Sequence, residues 1–223
     1  MANLAIIPAR GGSKRIPKKN LKDFLGKPII SYSIEVALQS GLFDEVMVST
    51  DNMEIAEIAL QYGAKVPFMR SNETADDYST LIDVIDEVSG IYQEQGLLFD
   101  YICCLLPTSP FITSSLLNET LNKLKNSDAE SIRPIVRFSY PIQRSFKLTN
   151  DKVSFMYPEY AKSRSQDLEP AYHDAGMFYW MLAAKGLKGD KRLGVEIPEN
   201  TCHDIDTDID WKIAELKYKA LYL

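Results

Sequence analysis

Along the chain, short apolar runs of strand length alternate with longer segments whose apolar positions recur at helical spacing, the pattern of an α/β protein on a mostly parallel sheet. Residues 4–8 read as a buried first strand. Pro28 suits a first helical position, and Ile30, Ile34, Ala37 and Leu38 then repeat at i, i+4, i+7 and i+8, predicting a helix that Gly41 ends. Residues 46–49 predict a second strand. Asp51 followed by Glu54 is an acidic variant of the capping box ahead of a helix carrying Ile55, Ile58, Ala59 and Tyr62, which stops at Gly63.

Residues 65–68 predict a third strand, weakened by Pro67. Leu81, Val84, Ile85, Val88 and Ile91 mark a long helix capped near Ser79 or Thr80, and residues 101–106 a fourth, buried strand. Leu117, Leu121 and Leu124 give the next helix; residues 132–136 give a strand interrupted by Pro134. From 138 to 172 the rhythm fails. Pro141, Pro158, Pro170, several aromatics and alternating strand-like pieces predict an inserted arm of hairpins, a natural dimerisation element, within a single domain spanning 1–223. Residues 175–182 and 194–197 read as strands, and 209–222 as a closing helix.

Composition narrows the function classes. With 45% hydrophobic and 25% charged residues the chain is globular, and a net charge of −6 excludes binding duplex nucleic acid through the overall field. Any anionic ligand must then meet a local patch. No apolar run reaches the roughly 18 residues of a membrane helix, and residues 4–7, followed at once by Pro8 and Arg10, are too short for a signal peptide. The 3 cysteines are odd in number, Cys103 and Cys104 are adjacent, and no CxxC spacing suggests zinc; they read as buried thiols in a reducing cytoplasm.

Two segments carry candidate chemistry. Residues 9–20, ARGGSKRIPKKN, place Arg10, Lys14, Arg15, Lys18 and Lys19, and no acid, directly after the first strand, where the carboxyl end of a doubly wound sheet binds ligands. Gly11 and Gly12 remove side chains so that backbone N–H groups can approach phosphate oxygens. The alternative is a solvated basic loop. The pattern is neither GxGxxG nor GxxxxGK[ST], which argues against an ordinary dehydrogenase and a P-loop NTPase.

Near the C-terminus Asp204, Asp206, Asp208 and Asp210 alternate in HDIDTDID. If 203–206 is a strand, Asp204 and Asp206 share a face and can ligate Mg²⁺, while Thr207 caps the last helix with Asp208 and Asp210 in its first turn. A purely structural role for all four is the alternative. A phosphate loop and a carboxylate pair in one α/β domain together suggest nucleotidyl transfer.

The opening AIIPARGGSKRIPKKN closely resembles that of the cytidylyltransferases that activate nonulosonic acids, including CMP-N-acetylneuraminate synthetases. STDN at 49–52, LLPTSP at 105–110, HDAGMFYW at 173–180 and DIDTDIDW at 204–211 follow in family order, so the resemblance covers nearly the whole chain. Sialic acid enzymes usually carry Gln where this chain has Leu106. That departure and the segment 162–180 look like the pseudaminic acid branch, whose sugar is less hydroxylated.

The resemblance implies a Rossmann-like nucleotidyltransferase fold. It implies that Arg10, Gly12, Ser13, Lys19 and Asn20 bind CTP, with Arg10 and Lys19 on phosphates, and that Arg70, Ser79 and Thr80 help enclose the nucleotide. The sugar would lie against Leu106, Pro107, Thr108, Ser109, Tyr172, His173, Phe178 and Tyr179, with Arg164 or Gln166 reaching its carboxylate or acetamido groups. His173 is equally suited to packing. The implied reaction is attack of the sugar's anomeric C2 hydroxyl on the α-phosphorus of CTP, with Arg10, Lys19, Asp204 and Asp206 as the catalytic set, Mg²⁺ on the two aspartates, and a homodimer as the assembly. The rival readings are the same reaction on N-acetylneuraminate, legionaminate or Kdo, a nucleotide-sugar glycosyltransferase using the Asp-x-Asp motif, and a non-catalytic nucleotide sensor.

Overall fold

The computed structural model describes residues 2–223. In chain order the elements are β1 (Asn3–Pro8), the short pair β2 (Asp23–Phe24) and β3 (Lys27–Pro28), α1 (Ile29–Ser40), β4 (Glu45–Ser49), α2 (Met53–Gln61), α3 (Leu81–Glu94) and β5 (Tyr101–Leu105). There follow α4 (Ser114–Lys125), β6 (Ser131–Arg137), the hairpin β7 (Phe146–Thr149) and β8 (Lys152–Phe155), then β9 (Tyr172–Asp174), β10 (Phe178–Leu182), β11 (Arg192–Glu196) and α5 (Asp208–Tyr222). The main sheet runs β11-β6-β10-β5-β1-β4, with β9 paired beside β6. β4, β1 and β5 are mutually parallel, as are β6 and β11; β10 lies antiparallel between β5 and β6, so those five strands share one direction.

Period-two alternation divides the core into two layers. Ala5, Ile7 and Cys103 face a large cluster with Ile30 and Ile34 of α1, Leu117 and Leu121 of α4, and Trp211 of α5. Leu4, Ile6 and Cys104 face a smaller one with Val84, Ile85 and Val88 of α3. The adjacent cysteines point to opposite faces, and burial pushes both thiols up, Cys104 to about 12. Local signals set the helix ends: Gly41 closes α1 at φ 64°, and Thr80 and Thr207 each form a capping box, with Asp83 and Asp210.

Four local expectations are corrected. Residues 65–68 form no strand; Lys65 alone bridges to Met47, and Pro67 lacks the N–H that a ladder needs. β6 is not interrupted at Pro134, which sits where the neighbouring segment bulges and whose carbonyl accepts the Ala175 N–H at 3.1 Å. The residues expected to open a strand at 175 form that bulge, and β10 begins only at Phe178. In α2 the cap is Asn52, whose side chain accepts from the Ile55 N–H, rather than Asp51.

The 138–172 segment holds the single hairpin β7–β8, joined by Asn150 and Asp151, both at positive φ (49° and 61°) as a two-residue primed turn requires. The rest is short 3-10 turns. Among the described residues no helix is long and apolar enough to cross a membrane.

Candidate active site

Where β1 ends, the chain leaves the sheet at its carboxyl edge and wraps a cavity of about 440 Å³. Of the sequence-predicted residues, Arg10, Gly12, Ser13, Lys19, Asn20, Leu106, Pro107, Thr108 and Asp204 line it, together with Pro8, Lys14 and Arg15. The two constellations 190 residues apart in sequence thus share one cleft at the strand ends.

The basic loop is held from beneath. The Ala9 N–H donates to the Ser49 carbonyl at 2.9 Å, the Asn20 amide donates to the Arg10 carbonyl at 3.0 Å, and the Gly11 N–H donates to Asp51 Oδ1 at 2.8 Å. A Cβ on Gly11 would stand 2.9 Å from Asn52 Nδ2, whereas one on Gly12 would meet nothing within 4 Å. The two glycines therefore differ: Gly11 is needed for close packing on the loop after β4 and its N–H is already engaged, while Gly12 faces open space. This corrects the expectation that both N–H groups are free for phosphate. Asp51, missed as a site residue and expected as a helix cap, anchors the loop.

The loop cations are matched by carboxylates. Arg10 pairs with Asp77 at 2.9 Å and donates to the Asp76 carbonyl at 2.6 Å; Lys14 also pairs with Asp77. Lys14 first, with Arg10, holds the Asp77 carboxyl below the usual range. A second cavity of about 490 Å³ lies between residues 10–14 and 75–78. Asp76 fixes that facing turn by accepting from Ser79 Oγ and from the Tyr78 and Ser79 N–H groups. Ser79 and Thr80 thus shape the turn and cap α3. Arg70 is buried, donating to Ser49 Oγ at 3.0 Å and the Ser49 carbonyl at 2.6 Å, and burial lowers its pKa. These three residues line neither cavity.

The acidic segment forms no strand. Ile205 is fully buried, and the aspartates on either side of it are not. Asp206 pairs with Arg15 at 2.8 Å and lies 3.6 Å from Lys19, whose ammonium also donates to the Ile205 carbonyl. Lys19 therefore docks the acidic segment as well as facing the cavity. Asp208 pairs with Lys22 at 2.8 Å, and Asp210, its carboxyl held low by Thr207, closes the α5 cap. Among the described residues no group of three or more His, Cys, Asp or Glu could hold a metal. A pair of carboxylates is the donor set that fits Mg²⁺, which keeps waters and takes its remaining ligands from substrate phosphates.

On the opposite wall Ser109 is buried and donates to the Gly176 carbonyl at 2.8 Å, beside buried Pro107 and half-buried Thr108. Phe178, expected against the sugar, is fully buried in the core, its β10 position facing the larger cluster. Tyr179 is mostly buried on the other face and its hydroxyl donates to Asp174. On β9, Tyr172 bonds Glu196 and His173 lies 4.9 Å from the Phe138 ring. Arg164 pairs with Asp167 at 2.7 Å, and Gln166 lines a separate cavity of about 410 Å³ within the arm. Neither reaches the cleft of its own chain.

The family model described as cytidylyltransferase matches residues 4–222. The chain is 46% identical to a pseudaminic acid cytidylyltransferase of Campylobacter jejuni, covering 99% of this chain and 97% of that protein. It is 35% identical to the CMP-N,N'-diacetyllegionaminic acid synthase of Legionella pneumophila, over 99% and 100% of the two chains. A solved CMP:2-keto-3-deoxy-manno-octonic acid synthetase shares the fold, with a TM-score of 0.70 at 19% identity over 99% of this chain and 100% of that one.

Proposed function

Because the chain belongs to the cytidylyltransferase family, we propose that it transfers the cytidylyl group of CTP to pseudaminic acid, giving CMP-pseudaminate and pyrophosphate. One observation carries the chemical part: the cations of residues 10–19 and Asp204 line a single cavity, and Asp206 beside it pairs with Arg15 and Lys19. Phosphate is the ligand that lets both sets act at once, since it satisfies the cations and leaves the carboxylates free for a divalent ion.

In this reading Arg10, Lys14 and Lys19 exchange carboxylate partners for triphosphate oxygens, and the open backbone at Gly12 admits the phosphates closely. Asp204 and Asp206 would hold Mg²⁺, which when bound supplies positive charge to phosphate oxygens as pyrophosphate leaves. Asn20 and Lys19 keep the loop and the acidic segment in register. Leu106, Pro107 and Thr108 offer the acceptor sugar an apolar wall, which suits a sugar short of one hydroxyl. Attack by the C2 hydroxyl on the α-phosphorus needs no covalent enzyme intermediate, so positioning and charge supply the rate.

The assembly we propose is a homodimer formed through the arm, whose exposed Leu148 and Val153 support it, and the compartment the cytoplasm, which the three unpaired buried cysteines support. Transfer to legionaminic acid is the second reading, favoured by the 35% relative. The test is pyrophosphate release with CTP and purified pseudaminic, legionaminic, N-acetylneuraminic and Kdo acids. Pseudaminic acid is expected to give the highest kcat/KM; release with none of them overturns the proposal.

A further inference from the structure

β9 and β10 run the same way along β6, yet their registers do not match. Asp174 stands opposite Ile135, and Trp180 opposite Ile132, so residues 175–179 on one side face only 133–134 on the other. The surplus forms a bulge with Gly176 at φ 63°. The 106–109 wall of the cleft is tied to it, and Asp204 lies beside it. The Met177 carbonyl accepts the Leu106 N–H at 2.8 Å, the Gly176 carbonyl accepts Ser109 Oγ at 2.8 Å, and a Cβ on Gly176 would lie 3.9 Å from Asp204 Cγ.

One carboxylate holds the bulge in shape. Asp174 Oδ1 accepts from the Gly176 N–H at 2.8 Å and from the Tyr179 hydroxyl at 3.1 Å, while Oδ2 takes Arg133 at 3.1 Å. The Arg133 guanidinium also lies over the Tyr179 ring, 4.9 Å from its centroid. The basic loop is anchored elsewhere, on Ser49, Asp51 and Asn52 at the far side of the cleft.

We infer that Asp174 is a positioning residue for the acceptor: through the bulge it sets the spacing between the 106–109 wall and Asp204, and so where the sugar hydroxyl lies relative to the bound nucleotide. This rests on the cytidylyl-transfer reading above. A shift of about 1 Å in a reacting group costs on the order of 100-fold in rate. The effect belongs to the acceptor side and leaves nucleotide binding alone.

The test pairs D174A with D174N and reads steady-state kinetics with the best acceptor sugar beside calorimetric CTP affinity. D174A is expected to lower kcat/KM for the sugar by about 100-fold with CTP affinity within about twofold of wild type. D174N, whose amide oxygen still accepts from Gly176 and Tyr179, should restore most of the loss. Wild-type sugar kinetics in D174A, equal loss in both variants, or loss of CTP affinity in step with turnover overturns the inference. Should D174A fail to fold, G176A, which sets a methyl toward Asp204, carries the test: an acceptor-side loss with CTP affinity kept is expected, and wild-type kinetics from the folded variant overturns it. If the unsubstituted enzyme releases no pyrophosphate with any acceptor, the functional reading fails instead, before Asp174 is in question.

Discussion

The cleft and the arm solve opposite problems. In the cleft, Arg10, Lys14, Arg15 and Lys19 all have carboxylate partners supplied by the same chain, so a dense set of charges is compensated within it. In the arm the apolar groups have no such cover. Cross-strand pairs Phe146–Phe155 and Leu148–Val153 share one face of the hairpin, with Lys147, Thr149, Lys152 and Ser154 on the other, and Leu148 and Val153 remain 72% and 61% exposed. A two-stranded hairpin is marginal alone in water. The cleft is a site whose walls one chain supplies, whereas the arm, in the homodimer proposed above, supplies half of a contact.

The largest effect should come from the acidic side of the cleft. D206N is expected to lower turnover by about 100- to 1000-fold while CTP affinity holds or improves, because Arg15 and Lys19 lose a competing carboxylate. Turnover at the wild-type level with saturating Mg²⁺ removes Asp206 from the mechanism. Next, L148K/V153K should raise the dimer dissociation constant by at least about 100-fold, since two apolar side chains contribute roughly 3–6 kcal/mol when covered. Sedimentation showing the same oligomer, or a monomeric unsubstituted protein, breaks the contrast drawn for the arm.

R10A removes a charge-assisted contact to phosphate and should weaken CTP by about 10- to 100-fold with an unchanged circular dichroism spectrum. D77N works the other way: freeing Arg10 and Lys14 from an exposed ion pair should tighten CTP by about two- to tenfold. Weaker binding in D77N means that Asp77 supports the nucleotide rather than competing with it.

What the sequence disclosed follows the range of the interactions. Gly41, Thr80 and Thr207 act within one helical turn, so the helix ends were readable, as was the place of Asp208 and Asp210 in the first turn of α5. The strand expected for 203–206 does not form, because these residues find no ladder partner; burial of Ile205 anchors the segment instead. Asp51 was misread because an acid ahead of a helix looks like a cap whichever way its oxygen turns; its partner, the Gly11 N–H, is 40 residues away. The Lys19–Ile205 and Arg15–Asp206 contacts were equally out of reach, since no local pattern marks them. Phe178 and Tyr179 sit in a recognisable motif, yet strand parity sends Phe178 into the core.

The antiparallel placement of β10 between β5 and β6 has a consequence for biosynthesis. Until residues 178–182 leave the ribosome, the nascent chain has made β5 and β6 but cannot join them, and both present an open apolar edge. A chain stalled at 177 is therefore split into two unsealed sheets, so quality control should recognise premature termination here as an aggregation hazard rather than as a smaller folded product.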